Sequence, residues 1–144
     1  MENDTLLLYE DIVQGAHMGI AAIEELMKRT EDARFQAELE RTRSDYQYIL
    51  DQAEEQIAAR GEKPKELSMV TRMNTWGMVT AATIFDHSNA NLSKLMLKGM
   101  EMADKGFNDK LADYPGADER SRRLADRLTE LQNRHRSVYK KYLN

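Results

Sequence analysis

Residues 67–113 contain no proline and have helical composition throughout, yet the stretch is too long to be one helix of this chain. At ~1.5 Å per residue it would reach about 70 Å, whereas the helical runs on either side of it are worth roughly 40 Å each. It therefore has to break, and the break is written at Asp86-His87-Ser88-Asn89. Short polar side chains of this kind compete with the helix for backbone hydrogen bonds and serve as N-caps, and an apolar run follows from Leu92. The outcome is a crossover helix followed by a bundle helix, a connectivity that constrains everything else.

The flanking segments supply the other bundle helices. In the first, expected to be capped by Asn3 or Asp4, the residues Leu6, Tyr9, Val13, Ala16, Ile20, Ile23 and Met27 recur at spacings of three and four, with Leu8, Ile12, Gly15, Gly19, Ala22 and Leu26 beside them. Gly15 and Gly19 would admit a neighbouring backbone. After a tight turn near Thr30, Phe35, Leu39, Thr42, Tyr46, Ile49 and Ala53 repeat the period until Gly61, the expected C-cap, and Pro64. Beyond Tyr114-Pro115-Gly116, the last helix aligns Ser121, Leu124, Leu128, Leu131, His135, Val138 and Tyr142. Short connections make each pair of bundle helices an antiparallel hairpin, and the long one makes helices two and three parallel. The expected fold is all-α: one domain over residues 1–144, a ferritin-like four-helix bundle with a long helical crossover between helices two and three.

Composition narrows the function classes. The formal net charge is −4 with both signs interspersed, so no basic face for nucleic acid is expected. Cysteine is absent, which removes disulfides, thiolate metal sites and thiol nucleophiles. The acidic beginning, whose apolar run is only Leu6-Leu7-Leu8, predicts no signal peptide, and no window approaches the ~18 apolar residues of a membrane span. These features predict a cytoplasmic protein with no membrane partner.

The order LLLYEDIVQGAHMGIAAIEEL, a charged helix, a crossover with glycine, methionine and one tryptophan, then NLSKLMLKGMEMADKGF and LQNRHRSVYKKY resembles the bacterial ferritin-like bundles known as domains of unknown function. The resemblance covers nearly the whole chain and implies a fold and a superfamily rather than an activity.

A ferritin-like di-iron or di-manganese centre needs one Glu from each of two helices and a Glu-x-x-His pair from each of the others. Here Gln132-Asn133-Arg134-His135 puts an amide in the carboxylate position, and Asp45-Tyr46-Gln47-Tyr48 puts tyrosine where histidine is required. The complete ligand set is therefore degenerate, and no cofactor is expected. The alternative is iron or manganese on a reduced set, His17, Glu101 and His135: counted from their turns, His17, Asp45 and Glu101 fall near mid-height of the bundle, with His135 about a turn away. Without metal, His135 is a core histidine hydrogen-bonded to a carboxylate or hydroxyl across the bundle. His87 reads as an exposed histidine at a helix start. No nucleophile–base pair, glycine elbow around a serine or phosphate-cradling loop is present, so catalysis of the common hydrolytic or nucleotide-dependent kinds is not expected.

Six of the nine methionines lie between Met69 and Met102. Thioethers bind soft metals, but flexible packing at a crossover or subunit contact is the plainer expectation. Between Trp76 and Phe85 the polar side chains are two threonines and none is charged, in a chain with 32% charged residues. One contact face needs only one apolar stripe. The crossover is thus expected either to mediate homo-oligomer formation or to sink into a gap between the first and third bundle helices. The expected role is that of a non-enzymatic, self-associating interaction or scaffold protein.

Overall fold

The computed structural model describes residues 2–66 and 69–143; the expected start of the crossover at Leu67 lies outside them. Five helices follow in order, α1 (Glu2–Met27), α2 (Ala33–Ala59), α3 (Met69–Thr83), α4 (Asn89–Leu111) and α5 (Glu119–Lys140). No strand occurs among the described residues, and the protein is all-α. The long central stretch breaks where its polar residues demand it. Asp86 Oδ1 accepts from the Ser88 N–H, and Ser88 Oγ accepts from the Asn91 N–H as the N-cap of α4. The Asn91 amide then reaches back, donating to the carbonyls of Ala82 at 3.0 Å and Asp86 at 2.8 Å, and so satisfies the end of α3.

Contacts along the helices define the topology. Gly19 lies against Tyr46 and Gln14 donates to the Lys65 carbonyl, so α1 and α2 are antiparallel. Arg60 pairs with Asp118 at one end of α2, and Glu38 with His135 near the other, which makes α5 antiparallel to α2. Lys110 approaches Asp11 while Asn89 meets Thr30, so α4 is antiparallel to α1 and therefore parallel to α2. Two antiparallel hairpins are thus joined by a crossover, as the connection lengths predict.

Apolar residues at helical spacing form one core: Leu8, Tyr9, Ile12, Val13, Ile23 and Leu26 of α1 with Phe35, Leu39, Ile49 and Ile57 of α2, Leu92 and Met96 of α4, and Leu128 and Leu131 of α5. Three expectations need correction. The helix begins at Glu2, before the expected caps, and the Asp4 carboxylate and the buried Thr5 hydroxyl accept the N–H groups of Gly116 at 2.7 Å and Asp118 at 2.9 Å. That ties the start of α1 to the α4–α5 turn. A Cβ at Gly19 would meet the Tyr46 ring at 3.0 Å, so an aromatic ring, not a backbone, uses that space, and Gly15 has nothing within 4 Å. Gly61 does turn the chain as expected, at φ +76°.

The crossover does not sink into the bundle. Among the described side chains of α3 only Val79 and Thr83 are buried, and the helix lies on the outside of α1.

Candidate functional site

The sequence-predicted residues separate in space. His17 lines a groove of about 400 Å³ with Gln47, Glu54 and Arg72, Glu101 is exposed on α4, and His135 is buried on α5. Among the described residues no three His, Asp or Glu side chains are grouped to hold a metal ion.

His135 is the centre of a different arrangement. On α2, Glu38, Thr42 and Asp45 stand at i, i+4 and i+7, so they share one face. His135 Nδ1 lies 2.9 Å from Glu38 Oε1 and 3.1 Å from Thr42 Oγ1, and Nε2 lies 2.6 Å from Asp45 Oδ2. The imidazole thus stands between two carboxylates, one at each ring nitrogen. The Thr42 hydroxyl donates to the Glu38 carbonyl at 2.8 Å and lies 2.6 Å from the Tyr139 hydroxyl, while Arg41 holds Glu38 Oε2 at 2.8 Å. Burial pushes the Tyr139 hydroxyl pKa up. One turn further along α2, Gln132 donates to the Tyr46 hydroxyl at 3.1 Å, and burial raises Tyr46 to about 12 against the opposing effect of that hydrogen bond.

This geometry tests the fit of a di-metal centre. Of the residues at the key positions, His135 bonds to Asp45, Gln132 donates to the neighbouring Tyr46, and Tyr48, which stands where the second histidine is required, is half-exposed and accepts from Arg127. Each imidazole nitrogen lies within hydrogen-bond distance of a carboxylate oxygen, 2.9 Å at Nδ1 and 2.6 Å at Nε2, which leaves no room for a cation between them. The groove over the network, about 620 Å³ and flanked by Arg41 and Arg134, therefore opens on a closed hydrogen-bond circuit. The residues present do not fit the centre, and the network acts as a polar lock between α2 and α5. Glu38 was missed by reasoning from sequence, although its spacing to Thr42 and Asp45 was the available signal.

The second arrangement is the outer face of α3. Arg29, at the end of α1, pins this helix: Nε donates to Thr83 Oγ1 at 2.9 Å, Nη2 to Thr80 Oγ1 at 2.8 Å, and Nη1 to the carbonyl of Glu25 at 2.5 Å. The stripe that Arg29 pins at Thr80 and Thr83 runs back toward the start of α3 as Met69, Met73 and Trp76, at i, i+4 and i+7, and there it is left 73%, 64% and 54% exposed. Met78, nine residues from Met69 and so on the other side of the helix, is 55% exposed, and Ile84 and Phe85, in the turn beyond α3, are 65% and 96% exposed. The helix carries a single charged residue, Arg72, which lines the inner groove with Glu24 and Glu54.

No protein-family model, no curated protein and no solved structure matches this chain.

Proposed function

We propose that this chain is a ferritin-like bundle, its metal centre replaced by the α2–α5 polar lock, that works in the cytoplasm as a non-catalytic interaction protein and pairs with a second copy of itself through α3. Support for the ferritin-like part is topological: two antiparallel hairpins, a crossover, and α2 parallel to α4. The observation that carries the interaction reading is the outward row Met69, Met73, Trp76 and Phe85 on a helix held in place by Arg29. An apolar face of this extent on a chain whose surface is otherwise charged marks a contact site. A second copy suits it because the row itself carries no charge and so meets itself without like charges. No described helix is long and apolar enough to cross a membrane.

Sedimentation equilibrium at tens of micromolar tests this, on the wild type and on a Met73→Glu, Trp76→Glu variant. Both side chains point outward, so the variant keeps its helical circular dichroism. The expected result is a dimeric wild type and a monomeric variant. A monomeric wild type overturns the reading, whether or not that monomer instead co-sediments with phosphatidylcholine–phosphatidylglycerol vesicles.

A further inference from the structure

Methionine is the only sulfur residue in the chain: there are nine methionines and no cysteine. Their placement is uneven in a way that packing alone does not require. Met96 and Met100 are buried in the core, at 5% and 2% exposure, whereas Met69 and Met73 stand exposed one turn apart on one stripe of α3, and Met78 stands exposed on its other side. That helix contains no leucine or isoleucine, although leucine supplies the same apolar area with a better helix propensity than the β-branched residues and without an oxidisable atom. A face built from thioethers is adaptable, and it is chemically labile.

We propose that Met69 and Met73 are an oxidant-sensitive modification site, at which hydrogen peroxide abolishes the self-association described above; the inference rests on that reading. A thioether sulfur lone pair attacks the O–O bond of hydrogen peroxide. An S–O bond forms, the O–O bond breaks, and the departing hydroxide takes up the proton of the transferred oxygen to leave as water. Sulfur is oxidised by two electrons and the peroxide is reduced by two. The product sulfoxide is polar and a strong hydrogen-bond acceptor, and an apolar contact offers it no donor. Each dimer would bury four such groups, so a rise in the dissociation constant of at least ~100-fold is expected.

The dimer covers the same sulfurs, so the oxidant acts on the dissociated protomer and draws the equilibrium toward it by mass action. This yields a signature that simple surface oxidation lacks. Oxidation at Met69 and Met73 slows as protein concentration rises, while oxidation at Met78, on the other side of α3, and at Met102, 62% exposed on α4, does not.

The experiment treats the full chain with hydrogen peroxide across a hundredfold range of protein concentration. Oxidised methionines are mapped by peptide mass spectrometry, mass is measured by sedimentation, and the oxidised protein is then reduced with the two methionine sulfoxide reductases. A Met69→Leu, Met73→Leu variant is run alongside. The expected outcome is concentration-dependent protection of the two sites, monomer after oxidation, dimer after reduction, and a dimeric leucine variant indifferent to peroxide. The inference is overturned if the oxidised wild type stays dimeric, if the leucine variant dissociates equally, or if helical circular dichroism is lost with the dimer. A wild type that is monomeric before any oxidant is added fails earlier, at the self-association reading, and takes the inference with it.

Discussion

Replacing His135 by leucine isolates the contribution of the polar lock. The ring touches three partners, and they respond differently to its removal. Asp45, whose side chain is 41% exposed, rehydrates at little cost. Thr42 keeps the Glu38 carbonyl and the Tyr139 hydroxyl. Glu38 carries the loss, because its residue is 5% exposed and Oε1 would face a methyl group. Removing one partner of a buried ionic pair costs ~3–5 kcal/mol. Arg41 still holds Oε2, and a buried leucine returns ~1–2 kcal/mol of apolar transfer. The expected net loss is about 2 kcal/mol. Adding Glu38→Leu removes the stranded carboxylate, so the double variant should unfold within ~1 kcal/mol of the parent, a non-additivity of ~2 kcal/mol or more. Urea unfolding followed by circular dichroism measures the cycle, in the Met73→Glu, Trp76→Glu background so that association does not add to the stability. A loss below ~0.5 kcal/mol for His135→Leu, or additive single variants, would refute the claim that the imidazole sustains a buried carboxylate.

Three further outcomes are expected. Ser93 is fully buried and its hydroxyl has no hydrogen-bond partner among the described residues, so Ser93→Ala should raise unfolding stability by about 1 kcal/mol in the same assay; a destabilised variant would show that the hydroxyl is paired. Arg29→Ala removes the bonds to Thr80 and Thr83 and should speed amide hydrogen exchange throughout α3 while leaving α2 unchanged; equal protection in both variants would mean that Val79 alone holds the crossover. Burial raises the Tyr46 hydroxyl from 10.0 to about 12, so its stabilising contribution is whole below pH 10 and disappears as pH climbs through about 12, some 2–3 kcal/mol in all. Comparing urea midpoints at pH 9 and above pH 11 checks this, and Tyr46→Phe should show a smaller drop than the parent.

Helix existence, the position of the central break and the hairpin pairing were legible because each depends on local chemistry. Asp86, Ser88 and Asn91 compete for backbone groups wherever they occur, and Gly61 can adopt its positive φ whatever packs around it. Periodicity located the α2 stripe from Phe35 to Ala53 residue by residue, and it put His135 inside. It did not reveal which acid would meet that histidine. Glu38 and Asp45 are two charged residues among many on α2, and only the rotation of α2 against α5 selects them. Similarly, the start of α1 was misread because Asn3 and Asp4 have good capping chemistry, and the Asp4 carboxylate accepts instead from the Gly116 N–H across the bundle.

By itself, the sequence determined an all-helical chain with a broken central stretch, since propensity, capping and hydrophobic period act within one or two turns and need no partner. It also showed an excess of apolar residues from Trp76 to Phe85, but equally consistent with burial in a widened bundle. Tertiary structure decided between the two. Arg29 clamps Thr80 and Thr83 to the outside of α1, leaving Met69, Met73, Trp76 and Phe85 in solvent. Where a helix packs, and hence which of its faces is left over, depends on the orientation of side chains separated by more than fifty residues, and no local pattern encodes that orientation.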